Sequence, residues 1–264
     1  MIIDTHSHIY EPEFDIDRRE ALQRCLEADV QQLLLPAIDG ESYQRLFDLV
    51  REYPNMMCPM MGLHPTSVNE NPRWREDLKQ VESFLATPPT GIERFYGVGE
   101  IGLDFYWSKE YCDEQIEAFE QQIEMALQYD LPIAVHTRDA WEQMCEVIEK
   151  YRGRGLRGVF HAFSSDVECY RRLRACGEFV FGVGGVVTFK KSKLAEVVKQ
   201  MPLEDIVLET DCPYMAPVPY RGKRNHPGMI PHIAEKIAEL WETTPEEVGK
   251  ITTENALRFF CIEG

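Results

Sequence analysis

The chain contains no run approaching the roughly 18 uninterrupted apolar residues that a membrane-crossing helix requires, so no membrane contact is expected. Its start lacks the basic and apolar stretches of a secretory signal, and a cytoplasmic location is the expectation. The eight cysteines, at 25, 58, 112, 145, 169, 176, 212 and 261, form no CxxC pair. That removes the usual spacing of a cysteine zinc site, and reduced, buried thiols are expected instead. Positive charge is scarce: 28 Lys and Arg stand against 45 Asp and Glu, for a formal net charge of −17. An acidic surface repels nucleic acid at long range and excludes a large DNA-wrapping face. It still allows an enzyme that grips a strand end in a local cleft where metal ions supply the positive charge. No low-complexity segment or linker is present, and no Gly-rich dinucleotide fingerprint follows the first strand-like run.

What is present is a regular alternation. With 264 residues, 44% of them hydrophobic, the chain suits one large α/β domain. Apolar runs read as strands at 2–6, 32–35, 57–63, 95–101, 132–136, 158–161, 179–183 and 206–209. Amphipathic stretches between them read as helices, among them 18–28, 41–52, 112–129, 140–151 and 167–175. Within 112–129, Ile116, Phe119, Ile123 and Leu127 recur at the spacing of one buried stripe. Two last helices are expected at 232–243 and 245–260, the second with Thr244 as N-cap and Pro245 at its first position. Eight strands alternating with helices imply parallel strands joined by crossovers, and eight is the number that closes a (β/α)8 barrel. A single TIM-barrel domain over residues 1–264 is the expectation. An open doubly wound sheet is the alternative, and the missing fingerprint counts against it.

Chemistry collects at the strand ends. His6 and His8 stand two apart at the end of the first run, where strand geometry points both to one face. His64, Glu100, His136, His161 and Asp211 follow at the ends of later runs. In a barrel these ends meet on one face, where active sites are built. His, Glu and Asp together suit Zn²⁺, Mn²⁺ or Mg²⁺. Six ligands exceed one tetrahedral site and fit two ions about 3.5–4 Å apart. His6, His8 and Asp211 are expected to hold the first ion, His136 and His161 the second, with Glu100 bridging. A water on such an ion loses its proton near neutral pH, and Asp211 is the expected general base. The glycines at 97, 99 and 102 are expected to let substrate and metal approach the backbone.

These residues carry a resemblance. The segments Asp4-Thr5-His6-Ser7-His8, Gly62-Leu63-His64-Pro65, Gly99-Glu100-Ile101-Gly102-Leu103-Asp104, His136, His161-Ala162-Phe163-Ser164, Glu209-Thr210-Asp211 and Pro219–Asn225 resemble, in order, the motifs of the TatD family of metal-dependent deoxyribonucleases. These are amidohydrolase-like metallohydrolases built on a TIM barrel. The resemblance runs from residue 2 to about 260. It implies hydrolysis of phosphodiester bonds in DNA, from the 3′ end of single strands, aided by divalent metal. It implies the same ligand set, and for His64 a contact with a substrate phosphate rather than with metal. Two departures, Ser165 where the family often has Gly and His226 where it often has Glu, fall on no expected ligand.

The segment Tyr220–His226 is the densest basic patch of this acidic chain. Arg221 can hold a phosphate bidentately, Lys223 can act as a point charge and Tyr220 can stack on a base. Arg221, Lys223 and Asn225 are the substrate contacts expected of this loop. Phe105-Tyr106-Trp107 is a second aromatic candidate for the rim. The competing function is an amidohydrolase or lactonase acting on a small ester or cyclic amide. Relatives with that chemistry often bridge their metals with a carboxylated Lys on the fourth strand. Glu100 at that place favours the nuclease. DNA as substrate is the one partner expected, with no obligate protein partner.

Overall fold

A ring of parallel strands forms the centre of the protein in a computed structural model that describes residues 1–262. The last two residues of the expected 1–264 unit lie outside the described residues. The strands are β1 (Ile2–Asp4), β2 (Val30–Leu35), β3 (Met57–Pro59), β4 (Val98–Asp104), β5 (Ile133–Arg138), β6 (Arg157–Phe160), β7 (Glu178–Val183) and β8 (Ile206–Leu208). β1 to β3 pair in parallel in chain order, and so do β4 to β8. Two isolated parallel bridges, Met61 to Val98 and Ser7 to Cys212, join the two groups. Across the second seam, Thr5 N donates to Leu208 O at 3.0 Å and Asp211 N donates to His6 O at 2.9 Å. The sheet is thus closed on itself, and the fold is a TIM barrel. Regular pairing in β1, β3 and β8 stops short of the expected ends at 6, 63 and 209. Beyond those points single hydrogen bonds replace ladders, leaving the C-terminal mouth open to side chains.

The helices α1 (Arg18–Glu27), α2 (Tyr43–Glu52), α3 (Trp74–Ala86), α4 (Cys112–Gln128), α5 (Trp141–Lys150), α6 (Val167–Arg174), α7 (Leu194–Val198), α8 (Ile230–Trp241) and α9 (Pro245–Phe260) pack around it. The strand pleat sends alternate residues inward. Ile3, Leu34, Cys58, Ala134, Val159, Val180 and Val207 form the inner core, which Phe259 and Phe260 of α9 close from below. α9 starts as expected, with Thr244 Oγ accepting from Glu247 N at 3.2 Å. The buried face of α4 holds Phe119 and Ile123 together with two glutamines. Gln122 Oε1 accepts from Leu63 N at 2.7 Å, and its amide donates to Leu63 O at 3.1 Å. Gln115 Oε1 accepts from Asp104 N at 2.8 Å, and its amide donates to Asp104 O at 3.0 Å. Each amide pairs both backbone groups of a strand-end residue, so α4 holds the segments that carry His64 and Asp104.

The strand-4 glycines have a different reason than expected. A Cβ on Gly99 would lie 2.6 Å from the Ala134 Cβ, and one on Gly102 would lie 2.0 Å from the His136 carbonyl oxygen. Gly102 also has φ +141°, a conformation that side chains rarely adopt. Their absent side chains admit strand β5, which draws His136 close to Glu100.

Candidate metal centre

Asp4 ties the N-terminal strand to the last one. Its carboxylate accepts from Thr210 N at 2.9 Å, from the Thr210 hydroxyl at 2.5 Å and from His6 N at 3.2 Å. This aligns the extended segment after β1 with the one after β8 and brings His6 and His8 to Asp211. The His6 and His8 Nε2 atoms converge to 3.1 Å, and Asp211 Oδ1 lies 3.6 Å from His8 Nε2 and 3.9 Å from His6 Nε2.

Glu100 reaches in from β4, 3% exposed. Its Oε2 lies 3.2 Å from His6 Nε2 and 3.4 Å from His8 Nε2. Its Oε1 lies 3.0 Å from His136 Nδ1, 3.3 Å from His161 Nε2 and 3.4 Å from His64 Nε2. The two oxygens of one carboxylate therefore face two different groups of imidazoles. Ligands bound at about 2.0–2.2 Å to a common ion lie roughly 3.0–3.5 Å apart at tetrahedral or octahedral angles. Most of these spacings fall in that range, so the donor set fits divalent cations on both sides of Glu100.

For His8 and His136, a hydrogen bond to the far nitrogen decides which atom the ring presents. The Tyr10 hydroxyl donates to Pro36 O at 2.6 Å and so accepts from His8 Nδ1 at 3.1 Å. That leaves the His8 Nε2 lone pair pointing inward. His136 Nε2 donates to Asp104 Oδ2 at 2.9 Å, which frees Nδ1 toward Glu100. Glu209 Oε1 accepts from Ala162 N at 2.6 Å, which fixes the loop after His161, and lies within ion-pair distance of His161 Nδ1 at 3.4 Å. His64 is built the opposite way. Its Nδ1 accepts from Thr66 N at 3.2 Å and faces the Thr66 hydroxyl at 2.6 Å. The proton then sits on Nε2, so His64 presents a donor, not a lone pair, to the centre.

The electrostatics follow from crowding. Burial raises the Glu100 carboxyl, but the surrounding imidazoles of His6, His64 and His161 outweigh it and hold the group well below the usual carboxylate range. Burial, helped by His161, keeps His6 neutral by pushing its pKa well down, the form a metal ligand needs. Burial pushes Asp211 up to about 6, against the lowering influence of His161 and His8. Backbone strain gathers here too. Ala162 and Asp211, neither of them glycine, sit in the left-handed region at φ 44° and 54°.

The structure thus brings His6, His8, Glu100, His136, His161 and Asp211 into one cluster, with His64 at its edge. The basic loop divides. Arg221 and Lys223 are exposed, and the Arg221 guanidinium lies 4.3 Å over the Phe189 ring. Arg224 turns away to Asp17 and the Glu13 carbonyl. Tyr220 leans on His232, with ring centroids 5.3 Å apart. Asn225 departs from the expected substrate contact. It is 0% exposed, its amide donates to Thr210 O and Tyr214 O at 2.7 Å each, and its oxygen accepts from His226 N at 2.9 Å. It braces the loop and leaves no side-chain atom for substrate. The supporting residues Asp4, Tyr10, Asp104 and Glu209 have no expected role in the sequence reading. Asp104 and Glu209 carry a signal, since both are acids at strand ends, while Tyr10 carries none.

The sequence profile of the TatD related DNase family matches residues 3–261. The uncharacterized metal-dependent hydrolase YabD of Bacillus subtilis is 36% identical over 263 residues, covering 99% of this chain and 100% of that protein. The uncharacterized metal-dependent hydrolase YcfH of Escherichia coli is 32% identical over 267 residues, covering 100% of this chain and 97% of that protein. The crystal structure of YjjV, a TatD homolog from Escherichia coli, superposes with a TM-score of 0.90 at 28% identity, covering 99% of this chain and 98% of that one. Family profile, relatives and fold agree over essentially the full length, and the chain belongs to the TatD related DNase family.

Proposed function

We propose that this protein hydrolyses phosphodiester bonds in DNA, working as a 3′–5′ exonuclease on single strands with two divalent metal ions. The observation that carries this reading is Glu100, whose Oε2 faces His6 and His8 while its Oε1 faces His136 and His161. His6, His8 and Asp211 would hold one ion, His136 and His161 the other, and Glu100 both. When bound, the ions supply Lewis acidity toward a phosphoryl oxygen and acidify water. The mixed imidazole and carboxylate set accepts Mg²⁺, Mn²⁺ or Zn²⁺.

The chain's own residues do the rest. Asp211 borders a cleft of about 290 Å³ together with His136 and His161, and it accepts the proton of the attacking water. His64 donates its Nε2 proton to a phosphate oxygen. Arg221 and Lys223 attract the strand toward the mouth of an otherwise acidic molecule. Catalysis of this kind rests on positioning and charge, so one bridging carboxylate with rings held by outer hydrogen bonds suits it. No helix among the described residues is long and apolar enough to cross a membrane.

The test is digestion of 3′- and 5′-labelled single-stranded DNA beside a panel of lactones. A chelator abolishes digestion, and Mg²⁺ or Mn²⁺ restores it. Full activity after exhaustive metal removal overturns the metal reading. Turnover of lactones without turnover of DNA assigns the site to small-molecule hydrolysis instead.

A further inference from the structure

Large apolar side chains that stay exposed are not spread evenly over this protein. Among the described residues, the exposed ones are Met1, Ile16, Leu26, Tyr106, Trp107, Tyr214, Met215 and Val218. The last five lie on the loops that follow β4 and β8, at the mouth of the barrel. Trp107 is 68% exposed and Tyr106 53%, although Phe105 beside them is buried. The pair is also held in place. Asp104 Oδ1 accepts from Tyr106 N at 3.0 Å and from Trp107 N at 3.4 Å, while Oδ2 of the same carboxylate holds His136. One side chain therefore orients both a candidate metal ligand and two exposed aromatic rings.

Arg138 completes the arrangement. It stands two residues beyond His136 on β5, hence on the same face and one layer, about 7 Å, nearer the mouth. It lines the same cleft as His136, His161 and Asp211. Its guanidinium lies 3.6 Å over the Tyr106 ring and 5.5 Å from the Trp107 centroid. Among the described residues no carboxylate pairs with it, in a chain where acids outnumber bases 45 to 28. A guanidinium carried on aromatic rings and unpaired with acid keeps its N–H donors for a ligand anion. An exposed indole beside it offers a face that stacks on any nucleobase.

We propose that Tyr106, Trp107 and Arg138 form a platform for one unpaired nucleotide of single-stranded DNA. Trp107 stacks on its base, and Arg138, steadied by Tyr106, holds its phosphate. The proposal deepens the nuclease reading and rests on it. Base pairing would withdraw the base from the indole, so the platform selects single strands over duplex without reading sequence.

The experiment measures binding of a phosphorothioate oligothymidylate, which resists hydrolysis, by anisotropy and by tryptophan fluorescence. An abasic strand of equal length serves as the second probe. Trp107→Ala weakens oligothymidylate binding about 10-fold and leaves the abasic strand unchanged, while Trp107→Phe, which keeps a ring, restores most of the loss. The wild type shows fluorescence quenching by oligothymidylate that Trp107→Ala loses. Arg138→Gln weakens both probes. Equal binding of oligothymidylate by wild type and Trp107→Ala, with no quenching, overturns the platform. If the wild type binds and quenches but hydrolyses no DNA with any metal, the nuclease reading fails and the platform stands. If it hydrolyses DNA and Trp107→Ala behaves as wild type, the platform alone fails.

Discussion

Replacing Asp104 with Asn isolates the role assigned to His136. The substitution keeps volume and shape but exchanges a carboxylate oxygen for an NH₂ group. In the native chain Oδ2 accepts from His136 Nε2, while Oδ1 accepts from the Tyr106 and Trp107 N–H groups. Asparagine satisfies only one side. If its oxygen stays with the backbone, its NH₂ meets His136 Nε2, which must then accept, and the ring proton moves to Nδ1. That removes the lone pair directed toward Glu100 Oε1, now 3.0 Å away. If the amide flips, its NH₂ opposes the Tyr106 N–H, and the loop is released instead. Loss of a hydrogen bond to a charged acceptor is worth about 1.5–3 kcal/mol. Substitutions of groups that orient a ligand histidine lower metal affinity about 10–100-fold, or roughly 1.4–2.8 kcal/mol at 1.4 kcal/mol per decade. The two figures agree, so Asp104→Asn should weaken one of two metal-binding steps by that factor and leave the other unchanged. A two-step calorimetric titration of metal-free protein with Mn²⁺ reads both. Two unaltered steps would refute the argument that His136 binds through Nδ1 under control of Asp104.

Glu100→Ala removes the proposed bridging carboxylate and should lower turnover about 10³-fold or more, with both binding steps weakened in the same titration; loss of a single step would deny the bridge. Arg221→Ala should raise KM for single-stranded DNA with kcat little changed, because an exposed guanidinium in the proposed role would bind ground state and transition state alike. Asn225→Ala should instead lower stability by about 1–3 kcal/mol in urea, since Thr210 O and Tyr214 O lose their buried donor; a pure KM effect there would return Asn225 to the substrate. Gly102→Ala should destabilise by more than about 3 kcal/mol, because a Cβ 2.0 Å from the His136 carbonyl meets backbone that cannot swing aside; near-native urea stability would contradict that contact.

Much of this architecture is legible in the chain before any coordinates. Each of the eight expected strands overlaps an observed one, because buried parallel strands read as continuous apolar runs, though the fourth is shifted from 95–101 to Val98–Asp104. The polar residues at their ends break those runs, and for that reason His6, His8, Glu100, His136, His161 and Asp211 stand out. Helix α3 is not among the helices named from the sequence, although Trp74, Leu78, Val81 and Leu85 form a buried stripe. The five residues of α7 are too few to show a period. Roles that depend on contacts between distant segments are harder to read. Asn225 looks like part of a basic, substrate-facing loop, and only the proximity of Thr210 and Tyr214 shows that its amide is consumed. The strand-4 glycines look like room for a ligand, whereas they make room for a neighbouring strand. The proton position on His64 depends on Thr66, two residues away, and on a turn that a sequence pattern does not specify.

The seam between the last and first strands has a consequence in time. It is stitched by Asp4 and Thr210, partners 206 residues apart, and contacts at such separation form only after much of the chain is available to close the loop. On a ribosome His6 and His8 emerge before strands β2 to β8 are made, and Asp211 follows only after them. No nascent fragment that lacks Asp211 carries the whole candidate ligand set. The order of synthesis therefore withholds the finished centre until the barrel can close around it.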